Sequence, residues 1–135
     1  ARITVPAGGA DGTIISNGAR EGGFALFVEG GRLVYQNNVG GKHWDEIRSA
    51  QPLAPGAHEV AFELTGRGPQ AVGRLSVDGA VVGEAPIAKV ALPSYLGALC
   101  VGRTCGTPAG RGYAAPFVYG GDIGEVTITR DPPRR

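Results

Sequence analysis

The stretch AHEVAFELTGRGPQAVGRLSVDGAVVG, residues 57–83, carries the fold class. In its first half His58, Val60, Phe62 and Leu64 alternate with Glu59, Ala61, Glu63 and Thr65. A period of two puts one set on each face of a pleated strand, the pattern of a half-buried β-strand. Gly73, Leu75 and Val77 repeat the alternation against Arg74, Ser76 and Asp78. Asp78-Gly79 follows, a pair whose tolerance of positive φ suits a tight hairpin turn. Residues 80–83 begin the return strand. The core is therefore a stack of antiparallel hairpins to which the rest of the chain adds strands.

Upstream of this stretch the same alternation recurs. Ile3 and Val5 make a short strand closed by Pro6, and residues 13–16 make a second that ends at Asn17-Gly18. Phe24, Leu26 and Val28 alternate with Ala25 and Phe27, and Gly30-Gly31 turns the chain into Leu33, Val34 and Tyr35. Residues 37–42 read as a polar, glycine-rich connection. Residues 43–49 read as a strand with Trp44, Glu46 and Arg48 on one side and Asp45 and Ile47 on the other. Pro52, Pro55 and Gly56 form the turn that enters the central stretch.

Downstream, Pro86 and Pro93 mark residues 84–94 as edge or irregular structure, because proline cannot donate to a ladder. Residues 99–102 read as a strand and 104–115 as a long loop. The aromatics Tyr113, Phe117 and Tyr119 are expected to plug one end of the sandwich. Residues 121–129 close the domain, and Ile123, Val126 and Ile128 share a face there only if Gly124-Glu125 carries a bulge. Residues 1–130 are thus read as a single β-sandwich domain and 131–135 as a tail or linker.

Composition agrees with this reading. The 135 residues suffice for one domain with its own core. The 24 Gly and 10 Pro are spread along the chain, as expected of many turns between short strands. The formal net charge is +1 with both signs interspersed and no basic stripe, which argues against a nucleic-acid partner. No uninterrupted apolar run reaches the roughly 20 residues of a membrane-spanning helix. The chain has no Met and starts at Ala1, directly before a strand, and reads as a piece of a longer protein or a processed chain.

Cys100 and Cys105, five residues apart on an extended strand, would hold their Cα atoms about 16 Å apart. That is beyond disulfide reach. Cys100 is accordingly read as a small core residue and Cys105 as a loop thiol, with pairing through a bend at Gly102 as the alternative.

Three segments carry a family resemblance. G-x-H-x-V-x-F at 56–62, G-x-L-x-V-D-G-x-x-V-G at 73–83 and G-x-I-x-x-V-x-I at 121–128 resemble the concanavalin A-like (laminin G-like) jelly-roll sandwich. GGFALFVEGGRLVYQNNVGG (22–41), SAQPLAPGAHEVAFEL (49–64) and VGRTCGTPAGRGYAAPFVYGGDIGEVTI (101–128) are similar to the C-terminal β-sandwich region of bacterial arylsulfatases. The likeness spans about residues 12–129. It implies an all-β, two-sheet antiparallel jelly-roll sandwich that serves as a non-catalytic accessory domain of an arylsulfatase-like sulfuric ester hydrolase. Its partner would be the catalytic sulfatase domain of the same parent chain, and calcium or magnesium would belong to that domain, with no cofactor in this region. Where that family typically reads V-G-R-D-T-G, this chain has Val101-Gly102-Arg103-Thr104-Cys105-Gly106, so a carboxylate role at that position does not carry over.

No catalytic apparatus is evident in the residues themselves. Cys100 is followed by V-G-R and Cys105 by G-T-P, so neither fits the C-x-P-x-R motif of a sulfatase nucleophile. No E-x-D occurs, which removes the paired carboxylates of jelly-roll glycosidases. The glycines at 106, 110 and 112 precede no helix and do not make a phosphate cradle. His58 shares the parity of Val60 and Phe62 and reads as a buried, hydrogen-bonded structural residue, and Asp78 as a turn residue. Asn37, Asn38 and Asp45 read as solvated loop polarity, with a calcium site as the sharper alternative.

Three residues remain as ligand or interface contacts. Trp44 lies between His43 and Asp45, and its ring either packs on the sheet or stacks on a carbohydrate. Phe27 and Val34 point away from the core side of their hairpin, so they form either a docking face or the floor beneath a covering loop such as 104–115. An independent carbohydrate- or protein-binding, lectin-like module is the alternative function.

Overall fold

The computed structural model describes residues 1–66, 68–87 and 98–129, and within them the chain is all-β. In chain order the strands are β1 (Arg2–Val5), β2 (Gly12–Ala19), β3 (Gly22–Glu29), β4 (Arg32–Val39), β5 (His43–Arg48), β6 (Gly56–Thr65), β7 (Val72–Val77), β8 (Ala80–Pro86), β9 (Leu99–Val101) and β10 (Asp122–Ile123). They form two five-stranded sheets, ordered β10-β1-β6-β7-β8 and β5-β4-β3-β2-β9. Every paired neighbour is antiparallel. The architecture is a two-sheet antiparallel β-sandwich.

The alternation read from the sequence sets what lies between the sheets. Ile3, Val5, Val60 and Leu75 come from the first sheet, and Ile15, Leu26, Val28, Leu33, Tyr35 and Ile47 from the second. Each such side chain contributes about 1.5–3 kcal/mol when fully buried. Phe62 of β6 lies flat on Tyr35 of β4, with ring centroids 3.5 Å apart and planes inclined by 7°. Gly73 permits this close approach of the two sheets: a Cβ there would stand 2.7 Å from Ile47 Cδ1 and 2.8 Å from the Phe62 ring. Burial raises the Tyr35 phenol well above its ordinary pKa, and the Asp45 carboxylate adds to the shift, so the ring stays neutral.

Several boundaries differ from the sequence reading. β2 continues through Asn17-Gly18, and the turn falls at Arg20-Glu21. β4 likewise continues to Val39, so Asn37 and Asn38 are strand residues only 1% exposed rather than solvated loop polarity. The closing strand shortens to Asp122–Ile123. Its ladder ends in two backbone bonds, Gly124 N–H to Arg2 O at 2.8 Å and Arg2 N–H to Glu125 O at 3.1 Å. Val126 packs against the core, but Ile128 is 63% exposed and shares no buried face with it. Residues 84–86 belong to edge strand β8; the remainder of the 84–94 segment from 88 onward, and the 131–135 tail, lie outside the described residues.

Candidate functional site: the covered face of the second sheet

Trp44, Phe27 and Val34 all lie on the face of the second sheet that points away from the sandwich interior. Register explains why. Phe27 pairs with Val34, and Asn38 with Trp44, while Leu26–Tyr35–Ile47 form the inward row. Ala25, Phe27 and Val34 make a small apolar cluster, each with 0% exposure.

A loop of this chain, residues 102–119, buries that cluster. Tyr113 lies 4.7 Å from the Phe27 ring, Phe117 lies 6.0 Å from it, and the two covering rings stack on each other at 4.8 Å. The docking face expected at Phe27 and Val34 is therefore not a surface. The alternative, a covering loop, is the arrangement observed, and Tyr113 and Phe117 lie on the sheet face rather than plugging an end. Tyr119 alone reaches the main core, with its hydroxyl donating to Thr4 O at 3.1 Å.

The loop is closed at its neck and tied down along its length. Tyr119 N–H donates to Gly102 O at 3.0 Å, Thr104 N–H to Pro116 O at 2.7 Å, and Thr13 N–H to Phe117 O at 2.8 Å. Cys100 of β9 and Cys105 at the start of the loop form a disulfide, with Cα atoms 6.2 Å apart. This corrects the reading of two separate thiols. The extended-chain distance does not apply, because Gly102 takes φ +81° and bends the chain between them.

Beside the disulfide, the buried hydroxyls of Thr13 and Thr104 hydrogen bond to each other at 2.8 Å. In the V-G-R-T-C-G string, the position with a typical carboxylate in the resembled family thus carries one half of a hydroxyl pair.

Further along, Asn38 Nδ2 donates to Arg20 O at 3.0 Å and to Ala109 O at 2.9 Å, while its Oδ1 accepts from Gly41 N–H at 2.9 Å. Gln36 and Arg111 exchange two bonds: Arg111 N–H to Gln36 Oε1 at 2.6 Å, and Gln36 Nε2 to Arg111 O at 3.2 Å. Trp44 Nε1 donates to Ala109 O at 3.2 Å, and the Arg111 guanidinium sits 4.2 Å from the Trp44 ring centroid. The Trp44 contacts are with the loop rather than the sheet: its N–H meets Ala109 O and one ring face meets Arg111. A buried polar row that is fully bonded positions a segment strongly, since each bond lost would leave an unpaired group.

On the opposite face of β4 and β5, Asn37 pairs with Asp45. Asp45 Oδ1 lies 3.1 Å from His43 Nε2, and its Oδ2 is buried without a hydrogen-bond partner. Strand alternation separates this pair from Asn38, so Asn37, Asn38 and Asp45 do not converge on one ion. Among the described residues no group of three or more His, Cys, Asp or Glu side chains could hold a metal ion.

A second feature lies at the other end of the first sheet. An open depression of about 450 Å³ is lined by Arg2, Thr4, His58, Glu59, Asp78 and Asp122, among others. Asp78 takes φ +51° in the β7–β8 turn, as its place before Gly79 predicts. Its Oδ2 stands 2.7 Å from His58 Nδ1, and its Oδ1 accepts Glu59 N–H at 2.9 Å. His58 Nε2 is 2.6 Å from Ala54 O. Both ring nitrogens of His58 are thus engaged in short contacts. His58 is hydrogen-bonded as its parity suggested, but it is only partly buried.

Of the staples, Gln36 was not singled out in the sequence, and Asn38 and Thr104 were noted there for other roles. A signal was present: Gln36 and Asn38 keep the parity of Val34, so an unbroken alternation marks β4 as running on. No protein-family model matches the chain, and comparison with curated proteins and with solved structures returned no match.

Proposed function

We propose that this chain is a non-catalytic accessory β-sandwich of an arylsulfatase-like sulfuric ester hydrolase, of the concanavalin A-like, laminin G-like jelly-roll kind. The observation that supports this reading is the placement of the three resemblance-bearing segments. Residues 56–62 lie on β6, 73–83 on the β7–β8 hairpin, and 121–128 include β10, and all three belong to one sheet. Segments distant in sequence thus form one structural unit, as a domain signature would. In this role the sandwich buttresses a catalytic domain or helps to wall its substrate pocket.

The test is to extend the coding sequence on both sides of these residues. An upstream α/β domain that bears C-x-P-x-R supports the proposal; a parent reading frame without that motif overturns it. The isolated chain, assayed with p-nitrophenyl sulfate, is expected to show no hydrolysis above background. Turnover that disappears in Cys105→Ala would also overturn it. An independent carbohydrate- or protein-binding module is the second reading, and retention of the isolated chain on a glycan array would favour it.

A further inference from the structure

We propose that His58 is a pH-operated latch: as the doubly protonated imidazolium it ties the turn at Ala54 to the turn at Asp78, and as the neutral ring it must release one of them. The argument is one of donor and acceptor inventory. Nδ1 faces Asp78 Oδ2 at 2.7 Å and Nε2 faces Ala54 O at 2.6 Å. An ionised carboxylate and a backbone carbonyl both only accept, whereas a neutral imidazole has a single N–H to give. Both short contacts are hydrogen bonds only when both ring nitrogens carry protons. The acceptor at Nδ1 cannot swing aside freely, because its second oxygen is held by Glu59 N–H at 2.9 Å. The ring lines the open depression, so water is at hand to take the place of the contact that the neutral ring gives up.

The charges around the ring are those of the depression. From the β7–β8 turn comes Asp78, and β6 contributes Glu59 on its opposite face, beside Arg2 of β1. Asp122 of β10 pairs with Thr4, and the ammonium of Ala1 is bound to Val60 O at 2.8 Å. The β1 residue directly beside His58 is Ile3, which is apolar.

The Asp78 hydrogen bond, followed by the Ala54 carbonyl, raises the His58 pKa above its ordinary 6.5, against a smaller opposing effect of burial. Because the folded value exceeds the unfolded one, the stabilisation is fully present below about 6.5 and is lost as pH rises through the folded pKa. At the acid end, hydrogen bonds from His58 and from Glu59 N–H hold the Asp78 carboxyl below its ordinary 3.8, so the latch also opens as that group protonates. Between these limits it is closed.

The experiment is a ¹H–¹⁵N NMR pH titration of the full chain, with the imidazole signals assigned by His58→Gln. Expected are a His58 midpoint above 6.5, both ring nitrogens protonated at pH 6.5 in most molecules, and Gly56, Glu59 and Gly79 amide signals that move with that midpoint. In Asp78→Asn the midpoint falls towards 6.5. A single neutral tautomer at pH 6.5, or backbone signals at Gly56 and Glu59 that ignore the titration, would overturn the latch. An unchanged midpoint in folded Asp78→Asn would do the same. If that variant does not fold, the wild-type tautomer and the amide midpoints decide the question alone.

Discussion

Phe27 has no exposed surface and is flanked by two rings from a loop nearly ninety residues away in sequence. Phe27→Ala is expected to cost about 3–5 kcal/mol in urea denaturation, and Phe27→Asp to unfold the chain. Retention of the fold by Phe27→Asp would contradict the observed packing. Phe62 differs, being only partly buried at the edge of the core. Phe62→Ala should cost less, about 2 kcal/mol, mainly the lost stack on Tyr35. Arg74 lies on the other face of its strand, in a half-exposed ion pair with Glu84 at 2.8 Å. Arg74→Ala should cost under about 1 kcal/mol. Equal losses for Phe62→Ala and Arg74→Ala would sink this ordering. Strand parity alone indicated the facing of Phe27, Phe62 and Arg74. It could not show what met the outward residues, since Tyr113 and Phe117 are brought there by tertiary structure.

At the scale of the element, the 102–119 loop behaves as a third layer held by polar staples. Asn38→Ala would leave Arg20 O, Ala109 O and Gly41 N–H without their side-chain partner, and should cost about 2–3 kcal/mol. The Cys100–Cys105 bridge closes only a short loop, so the entropic model gives a cost of about 2 kcal/mol for Cys105→Ala or for added reductant. Unfolding midpoints with and without reductant measure this, and no shift would mean the bridge does not constrain the loop. The two misreadings here have different causes. Asn37 and Asn38 resemble loop residues by type, and Cys100 and Cys105 are too distant on a straight strand. Asn38 is buried under the loop and Asn37 on the opposite face of the same strand, while a single glycine with positive φ brings the cysteines together.

For the whole molecule, the β3–β4 and β7–β8 hairpins were evident in the sequence because Gly30-Gly31 and Asp78-Gly79 join their strands, whereas the β2–β3 turn at Arg20-Glu21 carries no such pair. Sheet order was not evident. Pairing of β2 with β9 and of β1 with β6 and β10 links distant residues, which periodicity does not report. The polar site was legible only in part: His58 and Asp78 carried their types and parity, but their meeting depends on the β6–β7 register.

The covered sheet face has a bearing on how the chain comes to be folded at all. Synthesis is vectorial, and β3 and β4 emerge well before the residues that cover them: the ties Thr13–Thr104, Asn38–Ala109 and Gln36–Arg111 span 91, 71 and 75 residues. Until those residues leave the ribosome, Ala25, Phe27 and Val34 form an uncovered apolar strip on a young sheet, a surface prone to association. A chain stopped at residue 101 is expected to aggregate, whereas one extended through residue 120 regains solubility; sedimentation of the two translation products would compare them. The nascent protein therefore passes through a vulnerable interval that ends only when its own C-terminal third arrives.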